Sequence, residues 1–156
     1  LFEEDPMRKK AKNSALISWA IPLFAAACGI ISFFMIFAES IVFPSALLGN
    51  ASYTGLQTAF GYTVNGIKLF TGSAGISLAY IFPLVAAAVA VIGKGNKICA
   101  ILSSALFLTG GILAFCATSL LSGNYVGTPS LGAGAIVCGV LSFVGGTAEC
   151  ASLLLK

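Results

Sequence analysis

Four long apolar stretches, at about 14–38, 73–92, 98–121 and 131–155, constrain this chain more than any other feature, because charge is almost absent from them. A helix needs roughly 20 apolar residues to cross a hydrocarbon core of about 30 Å, and each stretch reaches that length. Inside such a core every backbone N–H and C=O must be satisfied within the segment, which makes each stretch a helix rather than an open strand. With 156 residues, four crossings leave room for one sizeable loop and no separate soluble catalytic domain. The expected fold is an all-α membrane protein: a four-transmembrane-helix bundle with an extracellular β-hairpin in the first outer loop. Composition agrees, since only 8% of residues are charged and 58% are hydrophobic, whereas soluble domains carry about a quarter charged residues.

Orientation follows from the basic residues. Arg8, Lys9, Lys10 and Lys12 precede the first stretch, Lys94 and Lys97 separate the second from the third, and Lys156 ends the fourth, while the other two loops carry only Lys68. By the positive-inside rule both termini are expected in the cytoplasm of a multi-pass protein of the cell membrane. Residues 1–13 then form a basic cytoplasmic tail, and 14–156 one membrane domain that displays loop 39–72 outside. The net charge of +3 is explained by these topology determinants and calls for no nucleic acid; the lipid bilayer is the first partner. Trp19 is placed to anchor the inner interface. Pro22 and Pro83 lie inside spans, where membrane helices tolerate them. Ala25-Ala26-Ala27-Cys28 imitates a lipoprotein cleavage box, but the apolar run continues from Gly29 to Met35, as a spanning helix requires.

The first outer loop reads as ordered. From Thr54 to Val64 larger residues (Leu56, Phe60, Tyr62, Val64) fall on even positions and smaller or polar ones on odd positions, the period of a half-buried strand. Asn65-Gly66 suits a type I′ turn, and Ile67 to Phe70 supplies the returning strand. Upstream, Ile41 to Leu48 around Pro44 reads as a short strand or an interfacial segment, and Gly49-Asn50 as a turn. Asn50-Ala51-Ser52 matches a glycosylation sequon.

A β-rich first outer loop on a four-helix bundle with both termini inside resembles the layout of claudins. The likeness is architectural: the Gly-Leu-Trp run of claudins is Gly55-Leu56-Gln57 here, Trp19 is the sole tryptophan, and no cysteine lies between Cys28 and Cys99. No claudin pore or junction residue carries over. The chain is also similar to small four-span proteins of Gram-positive bacteria through the run Thr54-Gly55-Leu56-Gln57-Thr58-Ala59-Phe60-Gly61.

Chemistry-bearing residues are few. The chain has no histidine, which removes the usual haem and zinc ligand and the commonest general base. Cys28, Cys99, Cys116, Cys138 and Cys150 lie within the apolar stretches without a Cys-x-x-Cys pair and read as small packing residues. No catalytic, cofactor-binding or metal-ligating residue is singled out, and the chain reads as non-enzymatic with no cofactor. Small residues recur instead: Gly134, Cys138, Ser142, Gly146 and Cys150 every four residues, with similar rows at Gly75, Ala79, Pro83 and Ala87 and at Gly110, Ala114 and Thr118. Such a smooth face packs either inside the monomer or against another subunit. The candidate partner-binding residues are Gly134, Cys138, Ser142 and Gly146 in the fourth span and Leu56, Phe60 and Tyr62 in the loop. The partner is another membrane protein or a second copy of the chain, which makes the protein an accessory or assembly subunit. Glu149, the one acid well inside a span, is the candidate intramembrane acid. Its structural role would be a bond to Lys94, Lys97, Ser103 or Ser104; its functional role would be in a small oligomeric transporter or channel.

Overall fold

The computed structural model of the chain describes residues 6–44 and 49–154. The acids before Pro6, the loop continuation to Leu48, Lys156, and the side chains of Arg8, Lys9, Lys10 and Lys12 lie outside the described residues.

Four helices among the described residues are long and apolar enough to cross a membrane. They are α1 (Pro6–Phe34), closed by a 3₁₀ turn at Met35–Phe37, α3 (Ala74–Ile92), α4 (Lys97–Phe115) and α6 (Ala133–Leu154). The first helix starts two turns earlier than the apolar run, because proline suits the first helical position and Lys and Arg are good helix formers. The third ends earlier than the sequence suggests. Its chain breaks at Cys116 and continues as the single turn α5 (Ala117–Leu120), which carries Ala117 and Leu121 into a buried cluster at one end of the bundle. The α3 to α4 turn is capped at Asn96, whose side chain accepts a hydrogen bond from the Ile98 N–H at 3.0 Å.

Helix α1 packs on α3 and α6, and α4 packs on the same two. Close approach is made by small residues. A Cβ on Gly29 would collide with the Pro83 carbonyl oxygen and with Ala87, and one on Gly110 would sit 2.9 Å from the Pro83 ring. Pro83 thus occupies a junction of α1, α3 and α4. Its missing N–H leaves the Ala79 carbonyl without its helical donor, and the Cys138 thiol of α6 donates to that oxygen at 3.7 Å. Ser103 Oγ likewise donates to the Ala86 carbonyl at 2.9 Å across the α4–α3 contact.

The end of the bundle opposite the 93–97 turn carries a cap of two three-stranded antiparallel sheets. In the first, β1 (Glu39–Phe43) lies between β2 (Ala51–Thr54) and β6 (Ser130–Leu131). In the second, β4 (Ile67–Thr71) lies between β3 (Gly61–Val64) and β5 (Ser122–Gly123). Strands β3 and β4 form a hairpin through Asn65 (φ 50) and Gly66 (φ 80), a pair suited to that positive-φ turn. The expected strand from Thr54 to Val64 is corrected: Gly55–Phe60 is a short helix, α2. Thr54 Oγ1 accepts from the Gln57 N–H, and the Gln57 side chain accepts from the Thr54 N–H, a capping box that outweighs the alternating pattern. The chain is mostly helical with four apolar helices, as expected, and its β structure extends beyond the expected hairpin, because the 122–131 segment contributes a strand to each sheet.

Candidate functional site

The cap is held together by aromatic side chains from both loops. Phe43 and Tyr53 come from β1 and β2, Phe70 from β4, and Tyr125 from the connection between β5 and β6. Phe70 is fully buried. Its ring centroid lies 4.8 Å from that of Tyr53 in an edge-on contact, and Phe43 lies 5.3 Å from Tyr125. Such edge and tilted pairs are the favoured arrangements of aromatic quadrupoles. Tyr62 adds to the same group, 6.0 Å from Tyr53.

Phe43, Tyr53, Phe70 and Tyr125, but not Tyr62, line a cleft of about 430 Å³ between the first sheet and the 124–127 segment. Its rim includes Pro44, Asn50, Asn124 and Val126, and Val126 is 98% exposed. Apolar surface with two amides beside it, and with no charged side chain in its lining, can bind an apolar or aromatic group and hydrogen-bond its polar edge. The Asn50 sequon therefore lies at the cleft, with Ser52 Oγ already donating to the Glu39 carboxylate at 3.0 Å.

Below the cap, Tyr80 of α3 joins it to the bundle. The Tyr80 hydroxyl donates to Ser40 Oγ at 2.9 Å, with both residues buried. The Gly55 N–H donates to the Ala38 carbonyl at 3.2 Å, and the Tyr80 ring lies where a Cβ on Gly55 would stand.

The sequence-derived candidates separate into three groups. Gly134, Cys138, Ser142 and Gly146 are all buried within the chain's own fold. Gly134 meets the end of α1, Cys138 reaches α3, Ser142 Oγ donates back to the Cys138 carbonyl at 2.7 Å, and Gly146 lies against Phe107 and Leu108 of α4. These four residues are therefore consumed by packing inside the chain, while Cys150, the last of the row, is exposed. Leu56 and Phe60 stand exposed on α2, whereas Tyr62 turns into the aromatic group. Glu149 is 2% exposed, inside the bundle near its turn end. Near that end of the bundle Ser103 and Ser104 donate to the Ala86 and Gly146 carbonyls, and the Lys94 ammonium lies 3.0 Å from the centre of the Trp19 ring. Cation–π contact of this kind ties the 93–97 turn to α1.

Phe43, Tyr125 and the Tyr80–Ser40 bond were missed by sequence reasoning. A lone tyrosine between short turns at 122–130 was the available signal for Tyr125; the bond joins residues 40 positions apart and leaves no local trace. All five cysteines are free, and among the described residues no cluster of His, Cys, Asp or Glu is placed to hold a metal. No protein-family model, curated protein or solved structure matches the chain.

Proposed function

We propose that this chain is a non-enzymatic integral protein of the cell membrane, with both termini cytoplasmic, that docks a partner through its outward-facing two-sheet cap and serves as an accessory or assembly subunit. The observation that carries this reading is the contrast in what each part leaves open. Gly134, Cys138, Ser142 and Gly146 are covered by the chain itself, whereas the cap presents an aromatic-lined cleft that includes the 98% exposed Val126. Clefts with aromatic floors and a few amides are favourable recognition surfaces. The basic flanks support the orientation through the positive-inside rule, and the layout remains similar to that of claudins with a different loop sequence. Gentle extraction from the native membrane, followed by mass measurement and identification of the components, tests the reading. A stable complex that Val126→Arg dissolves is expected; a chain that runs alone, at monomer mass, sinks it.

The burial of Glu149 favours a second reading, an oligomeric transporter or channel in which that acid carries a coupled proton or cation. Glu149→Gln in reconstituted vesicles separates the two: loss of flux with assembly intact supports transport, and no flux in the unsubstituted protein removes it.

A further inference from the structure

The short helix α2 is fixed against the flank of the bundle. Ser77 Oγ of α3 donates to the Ala59 carbonyl at 3.4 Å, the Tyr80 ring covers Gly55, and the Gly55 N–H bonds the end of α1. Gly55, Thr58 and Ala59 face inward and are buried. On the other side Leu56 and Phe60, one turn apart, are 42% and 69% exposed.

Apart from these bonds to Ala38 and Ser77, polar groups of this element bond one another. Besides the Thr54–Gln57 capping box, the Thr58 hydroxyl donates to the Thr54 and Gly55 carbonyls at 3.1 Å. From Ser40 to Ile67 the sequence carries no charged residue. The elements that α2 packs on also expose apolar side chains: Phe37 in the 3₁₀ turn after α1, and Leu78 and Ile81 in the first two turns of α3. Hydrogen-bonded polar groups, absence of charge and an outward apolar pair are what a bilayer interface requires of an element that enters it.

We propose that α2 is seated in the outer leaflet, with Leu56 and Phe60 against the acyl chains, so that the cap is held to the lipid surface as well as to the bundle. This inference rests on the membrane reading above. The test is tryptophan fluorescence in phosphatidylcholine vesicles with and without brominated acyl chains, in a Trp19→Phe background. Phe60→Trp reports on α2, Leu56→Trp serves as a second probe, and Val85→Trp, 42% exposed at mid-α3, reports on the spans. Emission from both the α2 and the α3 probes is expected to fall by about half in the brominated lipid and to be insensitive to aqueous iodide, with α2 about 5–10 Å into the headgroup–acyl boundary and the α3 probe deeper in the core. Iodide quenching of both α2 probes, with the α3 probe quenched by lipid, would place α2 in water and overturn the proposal. Protection of both α2 probes from either quencher would mean that protein covers them, with the same result. An α3 probe that brominated lipid leaves unchanged would instead remove the membrane reading itself.

Discussion

The bundle and the cap of this molecule differ in what fills their interiors. In the bundle the interior is small: Ala25, Ala26, Ala86 and Ala87 close around one large residue, Phe107, while Phe24, Ile30, Ile31, Ile101 and Leu102 point outward. In the cap the interior is large and aromatic, and the outward positions mix Asn65, Thr71 and Asn124 with Phe60, Ile67 and Val126. A surface of Phe, Ile and Leu is costly in water and neutral in lipid, where helices associate through close backbone approach and hydrogen bonds rather than apolar burial. The difference along one chain fits a bundle surrounded by lipid beneath a cap that reaches water, with α2 the one cap element proposed above to stay in the leaflet.

If that is so, deleting a ring should do most harm in the cap. Phe70→Ala removes a fully buried ring from a core that water would otherwise wet, and the expected loss is about 4 kcal/mol, combining transfer and cavity costs. The loss should be local. Protease cleavage within 61–71 should rise sharply while helical circular dichroism is retained; unfolding of cap and helices together would erase the proposed division. Next in size is Gly29→Leu, the reverse experiment in the bundle. Even its Cβ would meet the Pro83 carbonyl oxygen and Ala87, so α1 must move off α3 at a cost of about 3 kcal/mol. Thermal unfolding in bicelles should show it, with the cap less affected than the helices.

The bundle was the legible half. Length and charge marked all four helices, since the need to close backbone hydrogen bonds in lipid leaves one secondary structure for such stretches. The Asn65-Gly66 turn was legible for a local reason as well, because few residue pairs adopt positive φ readily. The cap was legible only in part. Leu56 and Phe60 are two even positions apart and equally one helical turn apart, so alternation could not separate strand from helix; the Thr54-x-x-Gln57 capping box could. Strands β5 and β6 have two residues each, too short for any period, and they exist because β4 and β1 offer edges to pair with. The role of Gly134, Cys138, Ser142 and Gly146 was open for another reason: a smooth face looks the same whether its neighbour is α1, α4 or a second molecule.

Phe107→Ala sharpens the comparison because it repeats the Phe70 deletion in the other half. Phe107 is also fully buried, with its ring against Gly145 and its Cβ against Gly146. In lipid the transfer part of the cost is absent and only lost packing remains, so about 2 kcal/mol is expected, roughly half the Phe70 value. Equal losses for the two rings, measured by reversible unfolding in the same bicelles, would mean that both halves are stabilised by water exclusion.

The smallest effect is expected at the join. Tyr80 stands in α3 but gives its hydroxyl to Ser40 in β1, and its ring backs Gly55 of α2. Tyr80→Phe keeps the ring and removes one buried hydrogen bond, for a loss of about 1 kcal/mol. Ser40→Ala should cost more, because it leaves the phenol as a buried donor without its acceptor, whereas the serine hydroxyl left by Tyr80→Phe is smaller and can turn toward a backbone oxygen. Hydrogen exchange of the β1 and α3 amides reads both variants. If the bond couples the halves, protection should fall in β1 and in the first two turns of α3 alike. A fall confined to β1 would show that the cap rests on the bundle through Gly55 and the Tyr80 ring alone, with the hydrogen bond only satisfying two buried hydroxyls.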